Sequence, residues 1–453
     1  MKKIIFLAIS FFLINSCSST IKKSENNIGT FESDKNTLTK YGPSLSLQEA
    51  IEIGINRNLN LKVKKLEQEI SLLDKNIAFS NFLPKINILA TQTQFNNDIY
   101  GQVVGSTLPF NFNLETRLFD KNFYSNAIGF SLPIFVPSSW FLYSSKKKNI
   151  DLKNELLSLE EKLLKVQIII NYYQIQALIY EKYYLESQLR FSNELVKNSK
   201  LALENKSILN WEHNEAILFH QTKQIALNKN KRDLEYSKMN FLVLLNLNPM
   251  LEIKLEEENL FCDKTTTIET AIMNSLKNNS LIKSSSIVKS MAEDYKKMAF
   301  TNFLPKIILS GGYYTDDNAA IVNSNIIFGS INGLFTLFNG FENINLYKKS
   351  SLNLKIAEIE TNKTILQVIL ETCNSFNTIK NLKEVHSLNQ KFLSITKDKL
   401  EQKRLEYKLG FVEKSEFLNA VSSYDKAVAD EKNSYFMLQI SLAIFDLIIG
   451  GNE

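Results

Sequence analysis

The hydrophobic pattern changes period twice, and then does so again in the same order. Leu61 to Phe79 reads as a helix. Pro84 has no amide hydrogen and biases Leu83 toward extended backbone. The next stretch, Ile86-Asn87-Ile88-Leu89-Ala90-Thr91-Gln92-Thr93, is rich in β-branched residues and predicts a strand. A second strand is predicted over Ala127–Phe135. There Ile128, Phe130, Leu132 and Ile134 alternate with Ala127, Gly129, Ser131 and Pro133, as in a strand half-buried or facing lipid on one side. From Ser144 the period becomes helical. Leu152, Leu156, Leu159, Leu163, Val166, Ile170, Tyr173, Ala177, Tyr180 and Tyr184 step alternately by four and three, a coiled-coil seam. Leu157, Leu164, Ile168 and Tyr172 widen it. The helix is predicted to run to about Asn205, roughly 90 Å for about 60 residues. A return helix follows from Trp211 to Leu247 and stops near Pro249. The polar segment Asn96–Tyr124 shows no clear period.

Upstream, Ser46 with Glu49 three residues on forms a capping box for a short helix ending near Asn58, and a longer helix reaches Phe82. The second half follows the same plan. Thr266–Leu304 is predicted helical, Lys306–Thr315 a strand, Asp316-Asp317-Asn318 a polar turn and Asn325–Phe338 a strand. A helix over Asn343–Leu409 carries the stripe Phe376, Ile379, Leu382, Val385, Leu388, Phe392 and Ile395. Gly410 breaks it, and a return helix runs to Ile449. The order repeats because the chain is duplicated: Asn81-Phe82-Leu83-Pro84-Lys85-Ile86 returns unchanged as Asn302-Phe303-Leu304-Pro305-Lys306-Ile307, 221 residues later. Five divisions follow: a signal over 1–17, a tether over 18–44, a first repeat over 45–250, a linker over 251–265 and a second repeat over 266–450.

Composition narrows this picture. Glycine and proline number only 14 and 7 in 453 residues, which favours long helices, and a net charge of +5 without a clustered basic face argues against nucleic acid. Lys2, Lys3 and the apolar run Ile4–Ile14 form a signal of secretory type, too short to span a bilayer. The small Ser16 before Cys17 marks a bacterial lipoprotein signal, with Cys17 lipidated as the first residue of the mature chain. Ser18 and Ser19, in place of an aspartate, send such a protein to the outer membrane. Cys262 and Cys373 make neither a disulfide framework nor a zinc site. The most apolar later run, Tyr435–Gly450, is interrupted by Gln439, Ser441 and Asp446.

Chemistry-bearing motifs are missing. The chain has no P-loop, no Gly-rich dinucleotide turn and no His-Glu-x-x-His, so no enzyme, cofactor or metal site is expected. His213 and His220, seven apart on one helix, read as a surface pair. The tyrosines Tyr172, Tyr173, Tyr180, Tyr183 and Tyr184 read as packing.

Two stretches of the second half carry a resemblance. One is the corner Leu337-Phe338-Asn339-Gly340. The other is Tyr407-Lys408-Leu409-Gly410-Phe411-Val412, followed by Glu416-Phe417-Leu418-Asn419-Ala420. With the lipoprotein signal and the duplication, the chain resembles the outer membrane efflux protein family, the TolC and OprM group. In the first half the tip reads Asn205-Lys206-Ser207-Ile208 without glycine, and Val136-Pro137 replaces the Asn-Gly corner.

The resemblance implies a mainly α protein with membrane β-structure. Its long helices would build a coiled-coil helical barrel, and each protomer would give four strands to a 12-stranded β-barrel shared by a homotrimer. It implies a lipid-anchored duct in the outer membrane of a Gram-negative-type bacterium, extending into the periplasm. Its partners would be a periplasmic adaptor (membrane fusion) protein and an inner-membrane efflux pump of RND or ABC type. The cargo would be small molecules or metal ions. Adaptor docking falls to Lys206, Ser207, Leu409, Gly410, Phe411 and Val412, and tunnel constriction to Glu212, Glu416 and Tyr407. Asn419 stands where a second acid can occur in the family. Physics agrees on the strand count: four strands cannot close a bacterial outer-membrane barrel, which needs about eight or more, and open edges are not tolerated in lipid. The competing reading is a lipid-anchored periplasmic coiled-coil scaffold without a pore.

Overall fold

The computed structural model of the protein describes residues 44–107, 110–257, 267–318 and 324–451. Cys17, Cys262 and nearly all of the tether lie outside the described residues. Each half begins with two helices, a single 3-10 turn and a strand. In the first these are α1 (Leu47–Arg57), α2 (Leu59–Phe79), the turn Ser80–Phe82 and β1 (Lys85–Gln94). The predicted capping box is present: Ser46 Oγ accepts from the Glu49 amide, and the Glu49 carboxylate accepts from the Ser46 amide at 2.9 Å. β2 (Ile99–Thr107), β3 (Phe110–Phe119) and β4 (Asn122–Phe135) follow, then the helices α3 (Pro137–Glu204) and α4 (Asn210–Leu244). The second half has α5 (Ile268–Asn278), α6 (Ser280–Phe300), the turn Thr301–Phe303, β5 (Lys306–Asp316), β6 (Asn325–Leu334), α7 (Glu342–Lys408) and α8 (Lys414–Ile449).

Four expectations need correction. Thr266–Leu304 is two helices, because Asn279 leaves the helical region (ψ 126°) and its side chain caps α6 by accepting from the Leu281 amide at 2.9 Å. The first long helix starts at Pro137 rather than Ser144; proline suits the first helical position, where no amide hydrogen is needed. β6 stops at Leu334 rather than Phe338. Beyond it Gly340 and Phe341 take positive φ, 64° and 69°, which turns the chain into α7. Finally, Asn96–Tyr124 is not aperiodic. β2 and β3 pair there as a separate two-stranded sheet. Phe110, Phe112 and Leu114 alternate with Asn111, Asn113 and Glu115, a period-2 signal that was legible.

The chain divides into two compact units, each drawing on both repeats. One gathers, among the described residues, 44–59, 164–257 and 379–443. Its core includes Ile168, Tyr172, Tyr173, Phe241, Leu242, Leu245 and Leu438; the widened seam of α3 is buried at Leu164, Val166, Ile168, Tyr172 and Tyr173 and half-buried at its other positions. Tyr172 donates its hydroxyl toward the carbonyls of Leu45 at 3.1 Å and Glu256 at 2.6 Å, which fastens the short bridge Leu45–Leu255. A Cβ at Gly54 would come within 2.4 Å of Ile168 Cδ1, so glycine there permits the close approach of α1 and α3.

The other unit holds the strands, with 60–163 (save 108–109), the described part of 267–378 and 444–451. Ion pairs link its helices: Lys153–Glu67 at 3.0 Å, Lys148–Asp294 at 2.8 Å and Lys289–Glu358 at 3.6 Å. The ammonium of Lys153 holds the Glu67 carboxyl below its usual range. Asp294 is buried, and it also accepts from Ser144 at 2.7 Å.

A clamp recurs at matched positions of the repeat, once in each unit. Asn58 Nδ2 donates to the Leu244 carbonyl at 3.0 Å, and Asn279 Nδ2 to the Ile448 carbonyl at 2.8 Å. Each occupies one of the carbonyls that the end of a return helix leaves without an intrahelical partner.

Candidate functional site

Two places carry the features from which a function can be argued: the strand sheet of one unit and the helix turns of the other. The sheet has the order β1-β4-β5-β6, antiparallel throughout. Directly opposed residues share a face. The row Ile88–Ile128–Tyr313–Ile327 crosses all four strands, and Ile86–Phe130–Gly311–Gly329 lies beside it on the same face. Ile86, Ile88, Ile128, Phe130, Tyr313 and Ile327 are exposed. The opposite face carries the rows Lys85–Ser131–Ser310–Ser330 and Asn87–Gly129–Gly312–Phe328. Asn332 Nδ2 reaches both Ser310 Oγ and Ser330 Oγ on that face, at 3.2 and 3.1 Å. One face is therefore apolar and the other largely polar or small.

The outer edges of β1 and β6 have no strand partner among the described residues. The helices joined to those edges also leave apolar seams exposed. α2, which leads into β1, presents Val63, Leu66, Ile70, Leu73 and Ile77; α7, which follows β6, presents Leu352, Ile356, Ile359, Leu366 and Leu370. Both sets step by three and four with one gap at Lys363, the spacing of a coiled-coil seam.

At the turns, α3 and α7 end by one device. Lys206 has φ 56°; its amide donates to the Leu203 carbonyl at 2.9 Å, and the Ser207 amide to that of Ala202 at 2.8 Å. Gly410 has φ 77°; its amide donates to Tyr407 at 3.1 Å, and that of Phe411 to Glu406 at 2.9 Å. Both are Schellman ends. The first turn lacks glycine but keeps the left-handed residue. Lys206, Ser207, Leu409, Gly410 and Phe411 are exposed, and Val412 is half-buried.

The constriction residues are engaged locally. The Glu212 carboxylate accepts from the Leu209 amide at 2.7 Å, which caps α4. Glu416 pairs with Lys403 at 3.2 Å, and Lys403 also pairs with Glu406 at 2.8 Å. Glu406 first and Glu416 second raise the Lys403 pKa, while Lys403 holds Glu406 below the usual carboxylate range. Tyr407 stacks on Phe417, with ring centroids 5.1 Å apart and planes 5° from parallel. Sequence reasoning missed the links between the two hairpins of this unit. Lys414 pairs with Glu194 at 3.1 Å, Gln188 donates to Ser422 at 2.5 Å, and Asn198 reaches Glu413 at 3.4 Å. Asp425 lies 4.0 Å from Arg190, and burial pushes its carboxyl up.

His213 and His220 are not a solvated pair. Their Nδ1 atoms lie 2.9 Å from Ser199 Oγ and 3.0 Å from Ser192 Oγ on α3. His386 makes the same contact with Ser434 at 3.2 Å. Among the described residues no cluster could hold a metal ion, and no helix is long and apolar enough to cross a membrane.

No family model matches the chain. No curated protein matches it either. Solved structures do. The Campylobacter jejuni CmeC outer membrane channel is 15% identical, with a TM-score of 0.73 over 89% of this chain and 85% of that one. The outer membrane protein VceC of Vibrio cholerae is 12% identical, with a TM-score of 0.69 over 93% and 99%. The open-state MtrE outer membrane channel of Neisseria gonorrhoeae is 15% identical, with a TM-score of 0.65 over 89% of each. The chain has the fold of these outer membrane channels, which is the fold its resemblance to the TolC and OprM group implied.

Proposed function

We propose, from the fold shared with outer membrane channels, that this protein is the outer-membrane exit duct of a tripartite efflux system. It is a passive channel, not an enzyme, and it assembles as a homotrimer. The carrying observation is the four-stranded sheet, with one exposed apolar face and two unpaired edges. Such a sheet can enter lipid only if its edges are paired. The edge at β1 and the seam of α2 lie on consecutive chain, as do the edge at β6 and the seam of α7. Pairing β1 of one copy with β6 of the next joins seam to seam by a head-to-tail contact, which generates a ring when its rotation closes. Three copies supply twelve strands, enough for a lumen.

Within this reading Cys17 is lipidated and the protein sits in the outer membrane. The turns at Lys206, Ser207, Leu409, Gly410, Phe411 and Val412 receive a periplasmic adaptor, itself joined to an inner-membrane pump of RND or ABC type. The exposed Leu409 and Phe411 suit a helical partner with an apolar face. Glu212, Glu416 and Tyr407 narrow the periplasmic opening. The local bonds of both carboxylates favour a positioning role: one caps a helix, and the other tethers α8 to α7 through Lys403.

The test is conductance of the full-length protein in planar bilayers, with native mass spectrometry of the same sample in detergent. A conducting trimer is expected. A monomer that conducts removes the closure argument, and a trimer that does not conduct returns the reading to a lipid-anchored scaffold.

A further inference from the structure

The sequence duplicated without change contains a lysine, Lys85 in one copy and Lys306 in the other, that neither fold nor duct requires. Lys85 opens β1 and Lys306 opens β5. Register fixes their side of the sheet. Lys85 stands opposite Ser131, which stands opposite Ser310, which stands opposite Ser330. The β5–β6 pairing runs without a shift from Lys306↔Leu334 through Ile308↔Asn332 to Ser310↔Ser330, so Lys306, four residues from Ser310, shares its face. Both lysines therefore lie on the polar face, opposite the one bearing Ile88, Ile128 and Ile327. Neither has an ion pair or hydrogen bond to another described side chain. Their positions are equivalent by the repeat, since each is the first strand residue after the same Asn-Phe-Leu-Pro turn. In the ring of three copies this makes six like charges where the strands begin.

A structural role is not evident for either residue. An unpaired ammonium with nothing to neutralise it gains little stability and repels its neighbours. A ring of six in a lumen walled by low-dielectric protein focuses a positive potential.

We propose that Lys85 and Lys306 form an anion-attracting ring where the strands begin, and that it binds or slows small polyanionic solutes in the duct. This rests on the duct reading and deepens it, because it assigns the strand end of the passage a preference for anions. The lysines reach free anions in the lumen rather than lipid headgroups, since they share a face with Ser131, Ser310 and Asn332 and not with the apolar rows.

The experiment measures block of single-channel conductance by inorganic tripolyphosphate in phosphatidylcholine bilayers, using the full-length trimer. Three forms are compared: unaltered, Lys85→Gln with Lys306→Gln, and Lys85→Arg with Lys306→Arg. The half-blocking concentration should rise by about tenfold or more in the glutamine form and stay near the unaltered value in the arginine form. Block should weaken between 0.1 and 1 M salt, where the screening length falls from about 10 to about 3 Å. Native mass spectrometry confirms that each form is assembled. Equal block in all three forms overturns the ring. So does phosphatidylglycerol that is retained by the unaltered protein and lost from the glutamine form while block is unchanged, because the lysines would then face lipid. An unaltered protein that assembles but never conducts refutes the duct itself, an outcome distinct from the other two.

Discussion

Replacing Phe130 with lysine tests the sheet at its most informative position. Phe130 lies in the second apolar row, opposite Ile86 on one side and Gly311 on the other. Its ring rests over the glycine: a Cβ at Gly311 would fall 2.7 Å from Phe130 Cε1. A lysine there loses that cover and exposes an ammonium on the face assigned to lipid. The cost on such a face is about 2–4 kcal/mol near the bilayer midplane. In a ring of three the substitution recurs three times, so assembly loses roughly 6–12 kcal/mol, comparable to the whole stability of a typical domain. Ser131 is the control one residue away, on the opposite face and opposite Lys85. A lysine there meets one like charge across the strands, worth up to about 1 kcal/mol per copy. The assay is the fraction of membrane-inserted trimer in semi-native electrophoresis at matched expression. Phe130→Lys should nearly abolish it and Ser131→Lys should leave most of it. Equal loss at both positions, or greater loss at Ser131, would refute the assignment of faces and with it the barrel.

Four further outcomes are expected. Asn279→Ala removes both the cap of α6 and the bond to the Ile448 carbonyl and should destabilise by about 1–3 kcal/mol, read as a lower urea midpoint. Lys206→Gly should stabilise by about 1 kcal/mol by relieving a left-handed lysine, whereas Gly410→Ala should destabilise by about 1–2 kcal/mol in the same urea assay. Lys403 depresses the Glu406 pKa, so its contribution is complete above about pH 4.3 and fades as the pH falls through the lowered value; Lys403→Met should lower the melting temperature at pH 6 and not at pH 2. Cys17→Ser should abolish palmitate labelling, and unchanged labelling would rule out lipidation there.

The legible parts of this fold were those written in short-range pattern. Pro84 and Pro305 marked the passage from helix to strand, Ile128–Ile134 marked a strand with two unlike faces, and Ser46 with Glu49 marked a helix start. The hairpin of β2 and β3 was missed although Phe110–Glu115 alternates cleanly, because Asn96–Tyr124 as a whole is polar. Asn279 was passed over because asparagine is tolerated within helices as well as at caps. The family resemblance pointed to Glu212 and Glu416. Their partners were not readable: the Leu209 amide is backbone, and Lys403 meets Glu416 only once two helices pack. The same holds for Lys414 with Glu194, more than two hundred residues apart in sequence.

The left-handed residues at the helix ends also act as rulers. Lys206 and Asn246 bound the first return helix, and Gly410 and Gly450 bound the second, all four with φ between 53° and 77°. The two intervals are of equal length, 40 residues each, although few residues inside them match. One added residue in either would advance the helix by about 1.5 Å and turn everything beyond it by about 100°. The exposed seam of α4 (Trp211, Leu218, Ile225) would then swing away from whatever it meets, and the carbonyl awaiting Asn58 would leave its partner. The two halves have therefore diverged in the side chains along these helices while keeping their length.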